Sequence, residues 1–263
     1  MSRSVAVGLL LTRPTKWDTR ANLAAAEDGL ARLAAAGAQV AVTCEAFLDG
    51  YLAYEAGVTP GDLRRVAEPA DGSSVATVAA AAARLRLHVV FGFSELAGDR
   101  VYNSAALLDP EGRLVGCYRK VHLGRCDPAI YAEGDELPVY QTALGRLGLM
   151  ICFDRQVPEA ARSLAIQGAE LLLNPSYGGY GEWNELMLRI RAYENRAFLA
   201  FAHPDQGLLI DPEGTVVARA GASDDLLVAT VDLKQVAAAR ATYHGDIAAR
   251  RRPGVYARAG ANV

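Results

Sequence analysis

The sequence predicts an α/β protein in which two mixed sheets pack face to face with helices on their outer sides. Three observations carry this. Short apolar runs of strand length alternate along the chain with alanine-rich amphipathic stretches. A strand–turn–strand pattern built on DPEG occurs twice, as LLDPEGRLVG (Leu107–Gly116) and LLIDPEGTVVA (Leu208–Ala218), each after an αβ stretch, so two related halves are expected. No Gly-, Ser- or Pro-rich linker divides the 263 residues, which predicts one domain over 1–263. A two-fold echo falls short of the three or more units of a repeat array.

The elements follow in order. Ser4–Leu11 reads as a first strand, and Asp18 precedes an amphipathic helix from Thr19 to Ala36 that Gly37 ends. Val40–Thr43 is a second strand closing on Cys44-Glu45, and residues 46–72 read as one long loop, a length usually reserved for function. Asp71-Gly72-Ser73 opens a helix to Arg86, followed by a buried strand at Leu87–Phe93. Val101–Leu108 and Leu114–Arg119 make the first DPEG hairpin. Leu147–Ile151 is a strand ending on Cys152, and Pro158 opens a helix to Gly168 with proline in its first turn. Ala169–Leu173, a helix over Glu182–Ala197, Leu199–Ala202, the second hairpin and Leu226–Val231 complete the pattern. The Arg-rich tail from about residue 250 shows no clear element and is expected to pack on a neighbouring subunit or to stay free.

Composition excludes several classes. A net charge of −3 without a basic run leaves no electrostatic footprint for nucleic acid, and none for a polybasic membrane anchor. No apolar stretch approaches the ~20 residues of a membrane-spanning helix. MSRSVAVGLL lacks the charged–apolar–small pattern of a secretory signal, so a cytoplasmic setting is expected. The four cysteines, Cys44, Cys117, Cys126 and Cys152, form no C-x-x-C pair; reduced thiols and no zinc site are expected. The four histidines, His88, His122, His203 and His244, lie in no evident catalytic setting, so the base for any reactive thiol should be something else.

Three apolar runs end on chemistry. Glu45 follows AQVAVTCE, Lys120 follows LVGCYRK and Cys152 follows LGLMIC. A lone cysteine beside Leu, Met and Ile is ordinarily a small core hydrophobe. The two other strand ends argue for more, because open α/β sheets place ligands at the carboxyl ends of their strands. A thiol of pKa ~8.5 needs a proton acceptor or a nearby cation to act as a nucleophile at neutral pH. Glu45 can take that proton and return it to a leaving amine. Lys120 and the backbone N–H of Phe153 can hold an oxyanion, where losing one donor typically costs on the order of 3 kcal/mol. Thiol, carboxylate and fixed cation together suit acyl transfer through a thioester. Three unrelated polar loop residues are the bland alternative.

CEAFLDGY around Glu45, YRKVHL around Lys120, ICFDRQVPE around Cys152, LLNPS (Leu172–Ser176) and RAYENRAF (Arg191–Phe198) together resemble the nitrilase superfamily of carbon–nitrogen hydrolases, amidase-like branch. The resemblance runs in order from Val5 to about Tyr256. It implies a four-layer αββα sandwich, Glu45 as general base, Lys120 as oxyanion stabiliser, Cys152 as nucleophile, and a homodimer or an assembly of dimers. Four departures stand out. Cys44 replaces the proline usual before the base, and reads as buried filler. Asp127 falls where many members carry a second glutamate that helps position the lysine and substrate, which makes it a candidate second carboxylate. Because it is one methylene shorter, direct contact to Lys120 or the substrate amine and a lost or water-bridged contact both stay open, and a turn role before Pro128 is the bland alternative. Glu133 stands in place of the usual proline before Gly134. The connection FAHPDQGLLIDP is compact, which implies a more open pocket or closure by another segment.

Around these, Arg155 is a candidate for a substrate carboxylate, as in N-carbamoyl-amino-acid hydrolases that it resembles, with a salt bridge to Asp154 or Glu159 as the structural alternative. Tyr51, Tyr177 and Trp183 are candidate pocket walls, Glu194 a buried scaffold residue with arginine partners, Asn174 and Ser176 supports of the site backbone, and His122 a hydrogen-bonded support. The expected activity is hydrolysis of a small linear amide or N-carbamoyl amine through a Cys152 thioester, with no metal or organic cofactor. Nitrile hydrolysis and acyl transfer to an amine remain alternatives, as does a non-catalytic relative that binds a metabolite or partner.

Overall fold

Strand β1 (Ser4–Leu10) leads into helix α1 (Thr19–Ala35), whose first turn is capped by Asp18 accepting from the Ala21 N–H at 2.9 Å. The computed structural model describes residues 3–243, 245 and 250–260. The rest of the first half comprises β2 (Val40–Val42), the short helix α2 (Pro60–Leu63), α3 (Ser73–Leu85), β3 (His88–Ala97), β4 (Arg100–Leu108) and β5 (Leu114–Arg119). The second half comprises β6 (Val139–Thr142), β7 (Gly145–Leu149), α4 (Pro158–Ile166), β8 (Leu171–Pro175), α5 (Glu182–Asn195), β9 (Phe198–His203), β10 (Gln206–Ile210), β11 (Val216–Gly221) and β12 (Leu226–Asp232). Helices α6 (Lys234–Arg240) and α7 (Pro253–Gly260) follow.

Two six-stranded mixed sheets result, ordered β12-β1-β2-β3-β4-β5 and β11-β10-β9-β8-β7-β6. Val7, Leu9, Val42, Leu107, Leu149, Leu173 and Ala200 interdigitate between them as the central core. A second core packs α1 and α3 on the outer face of the first sheet through Leu30, Leu33, Val78 and Phe91. A third packs α4 and α5 on the second through Leu164, Leu188 and Phe201. The four-layer αββα sandwich is therefore the observed fold, and β12 crosses to pair antiparallel with β1, closing the second half onto the first.

The two DPEG hairpins form the same turn. Asp109 Oδ1 accepts from the N–H groups of Glu111 and Arg113, as Asp211 Oδ1 does from Glu213 and Thr215. Each hairpin carries a register shift one step before its turn, at Leu107/Leu108 and Leu209/Ile210.

Several local expectations need correction. The stretch 46–72 holds a 3₁₀ turn at Leu52–Tyr54 and the helix α2, opened by a Thr59–Asp62 capping box. Leu52 and Leu63 bury against Val101, Ile130 and Tyr131, so the segment has a small core of its own. Helix α3 takes its cap from Glu68, which accepts from the N–H groups of Ser74 and Val75. Strand β6 is absent from the sequence reading, and the tail expected to lack an element carries α7. Residues 244, 246–249 and 261–263 of that tail lie outside the described residues, as does the side chain of His244.

Candidate active site

Glu45, Lys120 and Cys152 stand just beyond the carboxyl ends of β2, β5 and β7, two from one sheet and one from the other. Each is delivered by a specific backbone device. Gly92 on β3 leaves room for the turn after β2, since a Cβ there would lie 2.4 Å from the Cys44 carbonyl oxygen. Lys120 is tied to β4 by its N–H donating to the Asn103 carbonyl at 2.8 Å. Cys152 takes a positive φ of 43°, a conformation non-glycine residues adopt at a cost of roughly 1–3 kcal/mol. Asp154 holds that bend: its carboxylate accepts from the Ile151 N–H at 2.8 Å, the Tyr118 hydroxyl at 2.7 Å and the His122 N–H at 2.9 Å. Asn174 adds a bond to the Met150 carbonyl at 2.9 Å, as expected of a backbone support.

The side chains converge. Lys120 Nζ donates to Glu45 Oε1 at 2.6 Å and to Asp127 Oδ2 at 2.5 Å, with all three groups buried. Of the alternatives that the sequence leaves open for Asp127, the structure has the direct contact to Lys120. Asp127 reaches the ammonium directly because its 3₁₀ turn (Asp127–Ala129) brings its backbone close, and Tyr51 Oη and the Gly124 N–H donate to its two oxygens at 2.8 and 2.9 Å. Glu45 also accepts from Asn103 Nδ2 at 2.8 Å and, on its other oxygen, from the Tyr177 N–H at 2.9 Å. The Cys152 thiol faces the same carboxylate.

Burial pushes the Glu45 carboxyl above the usual range, opposed by the Lys120 charge. Burial works against the Lys120 ammonium, but Glu45, Cys152 and Asp127 outweigh it and raise its pKa, so this amine stays charged. Such an arrangement gives a carboxyl that can hold a proton beside a thiol, and a fixed positive charge beside both.

Arg155 departs from the salt bridge of its structural alternative. Its guanidinium, 2% exposed, makes no salt bridge with Asp154 or Glu159. Nε donates to Asn184 Oδ1 at 2.6 Å, Nη2 to the Gly179 carbonyl at 2.6 Å, and Nη1 to Cys152 Sγ at 3.2 Å, above the Phe201 ring. Phe153 is partly exposed beside the cysteine. The Tyr51 ring lies 5.2 Å from that of Tyr177 and 5.3 Å from that of Tyr54. Trp183, 81% exposed on α5, is no wall of this site. Glu194 does pair with Arg191 at 3.0 Å, but it is part-exposed, not buried. His122 is hydrogen-bonded to Asp154, which raises its pKa. The compact 203–206 connection leaves cover to this chain's own loops: Cys152 is only 6% exposed, and a Cβ on Gly178 would sit 3.2 Å from its sulfur and 3.6 Å from the Tyr54 hydroxyl.

Three contributors escape the sequence reading. Asn103 is a polar residue inside the apolar strand β4, a signal that the sequence does offer. Tyr54 sits in a turn that reads as loop. His203 has no conspicuous setting in the sequence, yet its Nε2 lies 3.0 and 2.9 Å from the carbonyls of Tyr177 and Gly178, while Nδ1 accepts from the Asp205 N–H. Those partners assign the neutral Nε2–H tautomer, and burial lowers the pKa of the ring. His203 thereby fixes the loop whose amide reaches Glu45. Among the described residues no group of three or more His, Cys, Asp and Glu side chains is placed to hold a metal ion.

The carbon–nitrogen hydrolase family model matches residues 6–241. The chain belongs to that family. It is 33% identical over 237 residues to "Hydrolase in pqqF 5'region" of Pseudomonas protegens, covering 83% of this chain and 80% of that protein. It is 34% identical over 212 residues to an (R)-stereoselective amidase of a Pseudomonas species, covering 76% and 75%. Among solved structures, a mutant of the Nesterenkonia amidase with the acetamide moiety of fluoroacetamide added covalently at its active-site cysteine superposes with a TM-score of 0.81 at 22% identity, covering 98% of this chain and 97% of that one. The last likeness is one of fold. As a carbon–nitrogen hydrolase, the chain places its polar convergence at the strand ends of a sandwich shared with amidases.

Proposed function

We propose that this carbon–nitrogen hydrolase cleaves the C–N bond of a small linear amide through a thioester on Cys152. The observation that carries the reading is the buried Lys120 ammonium held between Glu45 and Asp127 beside the Cys152 sulfur. The Sγ–H proton passes to Glu45 as sulfur attacks the amide carbonyl carbon. The Lys120 ammonium and the Phe153 N–H hold the resulting oxyanion. Collapse breaks the C–N bond, and Glu45 returns its proton to the departing ammonia or amine. Water, losing its proton to Glu45, then attacks the thioester; the thiol leaves with that proton and the carboxylic acid is released. Asp127 and Tyr51 position the ammonium, and Tyr51, Tyr54 and Tyr177 line the approach.

An uncharged substrate fits best. Lys120 is engaged by two carboxylates, and Arg155 by Asn184, Gly179 and Cys152, so neither cation is turned outward to a substrate carboxylate. That supports a simple carboxamide, or an N-carbamoyl amine without an acid group, over an N-carbamoyl amino acid. The (R)-stereoselective amidase among the relatives supports an amide as substrate. We further propose one hydrolase domain, a cytoplasmic setting in keeping with four free cysteines, and a homodimer. Support for the dimer is a stripe of exposed Trp183, Leu186, Ile190 and Tyr193 along α5, spaced three and four residues apart.

The test is a screen of small amides, N-carbamoyl amines and nitriles for ammonia release. The expected result is turnover of neutral amides, lost by at least about a thousandfold in Cys152→Ala. Ammonia release by that variant equal to the parent overturns the mechanism.

A further inference from the structure

The buried charges around Cys152 balance only when Arg155 is counted. Glu45 and Asp127 supply two carboxylates, whereas Lys120 supplies one ammonium; Arg155 is the second cation within reach. A guanidinium withdrawn from water is costly unless its charge is compensated. Arg155 has no such compensation from a carboxylate among the described residues. The nearest in sequence, Asp154, is occupied by Tyr118, His122 and the Ile151 N–H. Two neutral acceptors, Asn184 Oδ1 and the Gly179 carbonyl, fix two corners of the guanidinium, and the third, Nη1, lies 3.2 Å from Sγ. The plane is held over Phe201, whose own burial keeps water from that side.

We propose that Arg155 is the counter-ion of the Cys152 thiolate, a catalytic cation for the nucleophile distinct from the lysine that serves the oxyanion. When the S–H bond breaks and its proton passes to Glu45, the electron pair left on sulfur faces Nη1. The site keeps its charge balance throughout, since Glu45 loses the negative charge that sulfur gains. The same contact favours the sulfur as leaving group when the thioester is hydrolysed. Glu45, Lys120, Tyr51 and Tyr54 also interact with this sulfur, so the effect of Arg155 is one among several and must be isolated. The inference rests on Cys152 being the nucleophile, and the test separates the two.

The experiment measures the rate of iodoacetamide alkylation of Cys152, by peptide mass spectrometry, on the full chain at pH 7 and at pH 10. Arg155→Gln is expected to slow alkylation about tenfold at pH 7 and little at pH 10, where a thiol without its cation ionises anyway. Arg155→Lys is expected to recover most of the rate. Because Arg155 also ties down Gly179, a second pair of variants leaves it in place. Asn184→Asp sets a carboxylate against Nε and draws off the positive charge, whereas Asn184→Ala removes only a hydrogen bond. The aspartate variant is expected to match Arg155→Gln at pH 7, and the alanine variant to be several-fold faster than the aspartate. Equal rates in Asn184→Asp and Asn184→Ala, or a deficit that persists unchanged at pH 10, overturn the proposed role of Arg155. If Cys152 in the parent protein alkylates no faster than Cys44, Cys117 and Cys126, the reading of Cys152 as nucleophile falls instead.

Discussion

Ala46, Tyr51 and Cys152 each hold a positive φ, between 43° and 54°, and all three flank the proposed site. Unfavourable conformations of this kind persist where surrounding bonds over-determine them. For the 46–51 turn one such bond is made by Asp49, fully buried, whose Oδ2 accepts from the Ser94 N–H at 3.2 Å and hydroxyl at 2.8 Å. Its other oxygen has no partner. Burial accordingly pushes this carboxyl up to about 6, against those hydrogen bonds. The folded state therefore binds the proton more tightly than the unfolded chain, in which an aspartate titrates at ~4. Asp49 stabilises the fold relatively more below that range, and stability falls as pH rises from there through about 6. An asparagine at this position would keep the acceptor without the charge. Asp49→Asn should be increasingly more stable than the parent as pH is raised from about 4 to about 7.5, by up to roughly 2–3 kcal/mol in denaturant unfolding. A difference that does not change with pH would contradict the account of this turn.

Among the elements, those that join period to punctuation were legible in the sequence. β1, β2, β7 and β8 are apolar runs with clear ends, and the two DPEG turns repeat the same aspartate geometry, so layers and halves follow from pattern alone. Glu45, Lys120 and Cys152 were legible for the same reason: a charged or reactive residue at the end of an apolar run is conspicuous. β6 was not, because VYQT is short and part-exposed at a sheet edge and shows neither alternation nor a fully apolar run. Helix α7 was hidden behind the arginine run at 250–252 that precedes it, and its described side chains are largely exposed, so no buried stripe announces it. The roles of Arg155 and His203 were illegible for a different reason. Both depend on carbonyls of the 177–179 loop, more than twenty residues from each in sequence, and no local pattern encodes where that loop lies. Asp127 shows a further limit: side-chain length alone left its contact to Lys120 open, and only the backbone turn that presents it puts the shorter carboxylate within reach.

At the scale of the whole molecule, three cores separate four layers, and the proposed chemistry sits where the strand ends of both sheets meet. No helix among the described residues is long and apolar enough to cross a membrane. The outer face of α5 remains apolar after the sandwich is complete, with Trp183 81% exposed and Ile190 46% exposed. A helix stripe of that kind suits a second copy of the chain. Sedimentation equilibrium should give twice the 27.9 kDa chain mass, reduced to the single mass by the double variant Trp183→Glu, Ile190→Glu. A parent protein that sediments as a monomer at micromolar concentration would contradict the dimer. The central claim concerns covalent chemistry at one sulfur, and acid-quenched mass spectrometry in the first turnovers of a neutral amide tests it most directly. The account predicts a mass gain equal to the acyl group, on the peptide containing Cys152, absent from Cys152→Ala. An acyl adduct on any other residue, or undiminished turnover by the Cys152→Ala protein, would contradict it.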